Sequence, residues 1–161
     1  MHPRAAELIE RLGLEPHPEG GRYARTFRSE ATVSPADGRP ARVALSTIHY
    51  LLVAGEHSRW HRVRSDEAWH HHEGGAIELL TAPPGGGAIR SARLGAASAT
   101  ERPSAVVPAG WWQAARPLGD YALVSCAVAP GFEWEDFELL SALPEAERPV
   151  LEPEALMRAC R

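Results

Sequence analysis

Lysine is absent: all 17 Lys-plus-Arg positions are arginine. A Schiff-base mechanism on a lysine amine is therefore excluded. Cysteine is scarce. Cys126 and Cys160 are too few for a disulfide framework, and Cys126 lies in an apolar run where a free thiol behaves as a small hydrophobe. No apolar run approaches the roughly 18–20 residues of a membrane span, and no signal-type apolar segment follows the N-terminus. The net charge of −4 offers no basic excess for nucleic acid or an anionic membrane. The expected setting is cytoplasmic and reducing, with no nucleic-acid or membrane partner.

The chain is rich in histidine over one stretch. Gly55–Gly75 holds His57, His61, His70, His71 and His72 of the eight histidines, with His49 just upstream, and it also holds Trp60 and Trp69. Histidine is the usual acid/base group near neutral pH and the commonest metal ligand. The flanks read as short strands between Gly and Pro turns. Strands are expected near 22–29, 43–53, 59–64, 67–72, 76–82, 88–94, 105–108, 111–116 and 121–129. The last of these, YALVSCAVA, is apolar throughout, as a strand buried on both faces should be. A helix is expected over 3–12, with Pro3 in its first turn and Gly13 as its left-handed cap. A second is expected in the tail, starting at Pro153 with Leu156, Met157 and Cys160 on one face. Residues 30–42 read as a polar loop. Residues 132–140 read as a short cover for the barrel, their acids forming a solvated edge. Short strands at a spacing of about ten residues, with helices only at the ends, predict an all-β barrel or sandwich. One domain is expected over 1–161, its core at 12–140 and an extension at 141–161.

Two spacings carry more. Gly55 is followed after five residues by His61, then by Glu67 and Gly74. Further on stands Pro108-Ala109-Gly110, with Gln113 behind it. These resemble the two motifs of the cupin superfamily, G-x5-H-x-H-x3–4-E-x6-G and G-x5-P-x-G-x2-H-x3-N. The second histidine of the first motif falls on Val63, and the histidine of the second falls on Gln113. The phrases LGLEPHPEGGRYARTFRS, WHRVRSDEAWHHHEGG and VVPAGWWQAARPLGDYALVSCAVAPGFEWEDFEL narrow the resemblance to the subfamily known as Cupin 5. The departures from that subfamily are His71, His72 and Gly75.

The resemblance implies a double-stranded β-helix, or jelly-roll barrel, with a shape like that of dTDP-sugar 3,5-epimerases and seed storage proteins. It also implies a homodimer. Typical metal-binding cupins hold their ion with three histidines and a glutamate. Here the corresponding set is His61, Val63, Glu67 and Gln113, so the resemblance assigns no definite cofactor and leaves a divalent metal open. A divalent metal, if held, would take His61, Glu67 and Gln113.

Three readings follow. One is a metal-dependent enzyme with that thin donor set. The second is a metal-free sugar or polar-metabolite epimerase or isomerase. In it His61 is the base, Glu67 orients and charges it, Gln113 holds a substrate oxygen, and Tyr23, Tyr50 or Tyr121 supplies an acid. The third is a small-ligand-binding module without chemistry, walled by Trp60, Trp69, Trp111 or Trp112. Substrate contacts are expected from Gln113, Trp69, His71, Tyr23, Arg25 and Trp111. Arg25 and Arg28 are placed to meet an anionic group at the barrel mouth, although a solvated role is the plainer expectation. Arg62 and Arg64 are expected to pair with Asp66 or Glu67. His70 and His72 are expected on the strand face opposite His71.

Overall fold

The structure is a computed structural model and describes residues 1–158 and 160. Helix α1 spans Pro3–Leu12. The His2 side chain accepts a hydrogen bond from the Arg4 N–H at 3.2 Å, and Gly13, at φ 61°, closes the other end. The apolar face carries Ala5 and Leu8 against Leu51, Tyr121 and Leu123. Each such leucine contributes about 1.5–3 kcal/mol by leaving water. The Arg4 guanidinium grips both oxygens of Glu73 at 2.7 and 2.9 Å, and the Tyr121 hydroxyl donates to Glu73 at 2.8 Å. Arg4 first, then Tyr121, holds the Glu73 carboxyl down to about 2.

Strands follow in chain order. β1 (Glu15–Pro16) and β2 (Arg22–Arg28) come first, then the short pair β3 (Thr32–Val33) and β4 (Arg42–Val43). β5 (Ser46–Val53), β6 (Ser58–Val63), β7 (Asp66–Gly74) and β8 (Ile77–Ala82) form the first half of the barrel. β9 (Gly87–Ala88), β10 (Arg90–Leu94), β11 (Ser104–Val107), β12 (Trp112–Pro117), β13 (Tyr121–Ala129), β14 (Phe137–Leu139) and β15 (Leu151–Glu152) complete the set. A six-stranded sheet runs β1-β2-β5-β13-β7-β11, and a five-stranded sheet runs β10-β8-β12-β6-β14. From β5 to β8, and again from β11 to β14, the chain changes sheet at every strand. That alternation is the jelly-roll winding, and the fold is the all-β barrel expected.

Three apolar clusters hold the sheets. Between them lie Tyr50, Leu52, Trp69, Ile77, Leu79, Leu94, Val124 and Cys126. Outside the six-stranded sheet is the α1 cluster already described. Outside the five-stranded sheet Trp60, Leu80, Trp112 and Leu140 are covered by the tail, where α2 (Glu154–Arg158) brings Leu156 and Met157, with Cys160 just beyond it. The Trp60 ring N–H donates to the Met157 carbonyl at 3.0 Å. The end of the expected tail helix, at residues 159 and 161, lies outside the described residues. No described helix is long and apolar enough to cross a membrane.

Two surface expectations are corrected. Asp136, expected on a solvated edge, is 4% exposed. It accepts from Arg39 at 2.8 Å and from Arg42 at 2.9 and 3.0 Å. Two guanidiniums neutralise the buried charge, and they fold the loop at 30–42 down onto the barrel rim. Arg62 pairs with Glu138 at 2.7 Å and Arg64 with Asp37 at 3.3 Å, so neither takes Asp66 or Glu67. Asp66 instead accepts the Ala109 N–H at 2.8 Å.

Candidate functional site

The site is entered from a turn ahead of the barrel. In His17-Pro18-Glu19-Gly20-Gly21 the His17 N–H donates to the Gly21 carbonyl at 3.0 Å, and the Gly20 N–H donates to the His17 carbonyl at 3.0 Å. Gly20 has φ 114°, and a Cβ there would stand 2.2 Å from the His57 carbonyl oxygen. Gly21 has φ 66°, and its Cβ would meet Leu52 at 2.7 Å. Only glycine fits both positions. The Tyr50 hydroxyl donates to the Gly20 carbonyl at 2.7 Å, and the Arg59 N–H donates to the Glu19 carbonyl at 2.8 Å. Pinned this way, the turn drives the Glu19 side chain into the barrel. Gly20→Ala is expected to cost about 2–5 kcal/mol from strain and overlap together. A urea melt reads it, and an unchanged midpoint would contradict the packed turn.

Inside, Glu19 meets two histidines. Its Oε2 is 3.2 Å from His61 Nε2 and 3.6 Å from His17 Nδ1. Its Oε1 accepts from the Ser58 hydroxyl at 2.9 Å. His61 Nδ1 lies 2.8 Å from the Arg59 carbonyl oxygen, which can only accept, so Nδ1 carries a proton. In neutral His61 the Nε2 lone pair then faces Glu19. Two acceptors would repel at 3.2 Å, so one proton sits between His61 and Glu19. Burial lowers His61 from its ordinary value, opposed by the charge of Glu67. Burial raises Glu19, opposed first by His17. Both directions favour the neutral pair, with the proton on Glu19 and His61 as acceptor.

Glu67 reaches the same cavity from β7, in the sheet opposite His61, but it is not within ion-pair distance of the ring. Burial raises its carboxyl too. Behind it stands a relay. Gln113 Nε2 donates to Glu67 Oε2 at 2.6 Å, and Gln113 Oε1 accepts the Trp69 ring N–H at 3.0 Å. The indole is a donor only, which fixes the orientation of the amide. Burial first, then the charge of Glu67, raises the Cys126 thiol well above its ordinary value.

The cavity is narrow, about 50 Å³. Its polar wall is His17, Glu19, His61 and Glu67; Val63, Cys126 and Val128 line the depths; Tyr23 and Arg25 line the side given by β2. Phe132, Trp134 and Phe137 complete the wall from the β13–β14 connection and β14. The Phe137 ring lies 5.4 Å from His61, and Trp134 lies 5.6 Å from His17. A Trp134 exposure of 46% places this aromatic rim at the mouth.

The expected residues thus divide. His61, Glu67, Tyr23 and Arg25 come together at the cavity. Gln113 and Trp69 do not line it: they stand behind Glu67, with the amide spent on Glu67 and the indole. The role of Gln113 as holder of a substrate oxygen is corrected to support of Glu67. His71 lies away from the cavity, its Nε2 facing the Gly75 carbonyl at 3.0 Å. Trp111 is also elsewhere, under the Arg90 guanidinium at 5.0 Å. Trp60 and Trp112 wall the outer cluster, and Tyr121 serves Glu73. His72 Nε2 meets the Ser125 hydroxyl at 2.8 Å, and His70 is exposed. The carboxylate that contacts His61 is Glu19, not Glu67. Glu19, His17 and the aromatic rim were not selected from sequence. The signal for the first two was the doubled glycine after His-Pro-Glu.

The metal pattern of the superfamily does not fit these residues. Val63 lines the cavity where a second histidine would stand, and the Gln113 oxygen is turned to Trp69. Among the described residues, no three His, Cys, Asp or Glu side chains are arranged to hold an ion. His61, Glu67 and Gln113 therefore do not form a ligand set.

Comparison with known proteins agrees with the winding. A solved structure described as a hypothetical protein from Leishmania major is 31% identical, covers 97% of each chain and superposes with a TM-score of 0.85. An X-ray structure of a Shewanella oneidensis protein is 36% identical over 97% of this chain and 96% of its own, with a TM-score of 0.82. Bacillus subtilis oxalate decarboxylase shares the fold alone, at 14% identity and a TM-score of 0.57 over 81% of this chain and 32% of its own. A search of curated proteins found no match. The family model Cupin_5, described as Cupin superfamily (DUF985), matches residues 6–140. The chain belongs to this family of the cupin superfamily.

Proposed function

We propose that the protein is a metal-independent isomerase or epimerase that moves a proton at a carbon next to a carbonyl, in a sugar or similar polar metabolite. The observation that carries the reading is the buried His61–Glu19 pair, 3.2 Å apart, holding one proton against a cavity. Such a pair supplies base and acid side by side. His61 Nε2 takes the carbon-bound proton, and the C–H electron pair forms a C=C bond. The carbonyl π pair becomes an O–H bond with the proton from Glu19. The result is an enol above a Glu19 carboxylate and a His61 imidazolium. Burial makes that ion pair return its proton. Where the first carbon bears a hydroxyl, the enol is an enediol: His61 returns its proton to the former carbonyl carbon, the C=C pair forming that C–H bond, while the Glu19 carboxylate takes the other hydroxyl's proton and its O–H pair becomes the new carbonyl, which gives the isomer. Epimerisation needs a donor on the other face, and the reading gives that part to Glu67, which lines the cavity from the opposite sheet.

The test needs no net turnover. Candidate aldoses, ketoses and sugar acids are incubated with protein in D2O, and loss of the carbon-bound proton is followed by NMR. Enzyme-dependent exchange that disappears in His61→Ala is expected. Exchange that survives in that variant would remove His61 from the site. A module that binds without chemistry is the second reading, favoured by the narrowness of the cavity, and it predicts binding with no exchange.

A further inference from the structure

We infer that the substrate is a short monoanionic oxo acid, whose carboxylate is captured by Arg25 at the mouth while its carbonyl end enters the cavity. This rests on the proton-transfer reading above and names its substrate class.

Three observations carry it. Among the described residues Arg25 is the one arginine lining the cavity, and it is exposed. The other arginines near the rim are committed: Arg22 to Glu56, Arg28 to Glu133, Arg39 and Arg42 to Asp136. Among the described residues Arg25 has no carboxylate partner. A bulge between Arg25 and Phe27 follows directly, the kind of irregularity that re-aims side chains at a barrel rim. Arg25 and Tyr23, two residues apart, both face the cavity. A guanidinium fork fits a carboxylate with two parallel hydrogen bonds.

Second, the size is restrictive. A volume of about 50 Å³ open to water-sized spheres, at about 10–15 Å³ for each water, holds only a few waters, so it takes the carbonyl end of a small oxo acid and not a sugar nucleotide. Third, the charge pattern sets polarity. Glu19 and Glu67 line the interior with no described arginine beside them, so a negative charge carried inward by the ligand would be buried without a cationic partner. Among the described residues, one arginine without a carboxylate partner at the rim and none within select one negative charge, held outward. Between them, Trp134 and Phe137 offer flat apolar walls to a planar oxo-acid backbone.

The experiment titrates pyruvate, 2-oxobutanoate and acetoacetate into wild-type protein and into Arg25→Gln by isothermal calorimetry. Methyl pyruvate, inorganic phosphate and dTDP serve as comparisons. At least one of the three acids is expected to bind, with affinity about 10–100-fold weaker in Arg25→Gln, as for loss of a charge-assisted pair. Methyl pyruvate should bind wild type no better than the acid binds the variant. The inference is overturned if none of the acids binds, if Arg25→Gln binds them equally well, or if dTDP or phosphate binds more tightly and depends on Arg25. Deuterium exchange on the same samples separates the two ideas. Arg25-dependent binding without exchange leaves this inference standing and removes the isomerase. Exchange on neutral sugars, unchanged in Arg25→Gln, does the reverse.

Discussion

Glu19→Gln is expected to slow deuterium exchange about 10²–10⁴-fold, the usual range for one acid/base group. The loss should fall on kcat, with KM little changed, because the amide keeps the shape and still accepts from Ser58. What it lacks is a transferable proton. The pH dependence of stability gives an independent reading. Burial raises Glu19, so its folded-state value lies above the unfolded one. The stability it contributes is full below the ordinary carboxylate value near 4.5, and is lost as pH rises through the raised folded value. Glu19→Gln should therefore lose less stability than wild type on the alkaline side. His61 has the opposite sign. Its lowered value makes the folded state bind fewer protons, so its contribution is present above about 6.5 and lost as pH falls. The acid-side loss should persist in Glu19→Gln. A variant with full activity would show that Glu19 only packs the turn.

Gln113→Ala is expected to cost about 2–6 kcal/mol, a fall in Tm of roughly 4–24 °C for a chain of this size. Two buried groups lose their partner at once: the Trp69 ring N–H and Glu67 Oε2. Each orphaned group costs about 1–3 kcal/mol. Glu67 is already pushed up by burial, and loss of the amide donor pushes it further in the same direction. The effect on ligand affinity should be smaller than the effect on stability, since Gln113 stands behind the cavity wall. The opposite outcome, a stable protein with lost affinity, would return Gln113 to the ligand.

The two carry different messages about what a sequence discloses. His61 and Glu67 are readable because strand alternation and motif spacing are local rules: a period of two fixes which side chains enter a barrel. The apolar run 121–129 and the capped helix α1 are readable for the same reason, and both stand where expected. Glu19 is not readable in that way. Its place depends on backbone contacts to Tyr50, His57 and Arg59, residues brought near only by the closed barrel. Asp136 misled for a related reason. An acid among acids looks solvated until Arg39 and Arg42 arrive from a loop far away in the chain. The tryptophans misled through symmetry. Trp60 and Trp112 alternate correctly, but onto the outer face, where the tail covers them. Periodicity gives the alternation and not which face is inside.

The measurement nearest the central claim is the protonation of His61, read by nitrogen-15 NMR on ring-labelled protein across a pH titration. The predicted result is a proton on Nδ1 at neutral pH, Nε2 shifted as a hydrogen-bond acceptor, and a titration midpoint below 6.5 that changes in Glu19→Gln. A ring protonated on Nε2 alone, or one that titrates like a free imidazole in both proteins, would contradict the shared proton and the chemistry built on it.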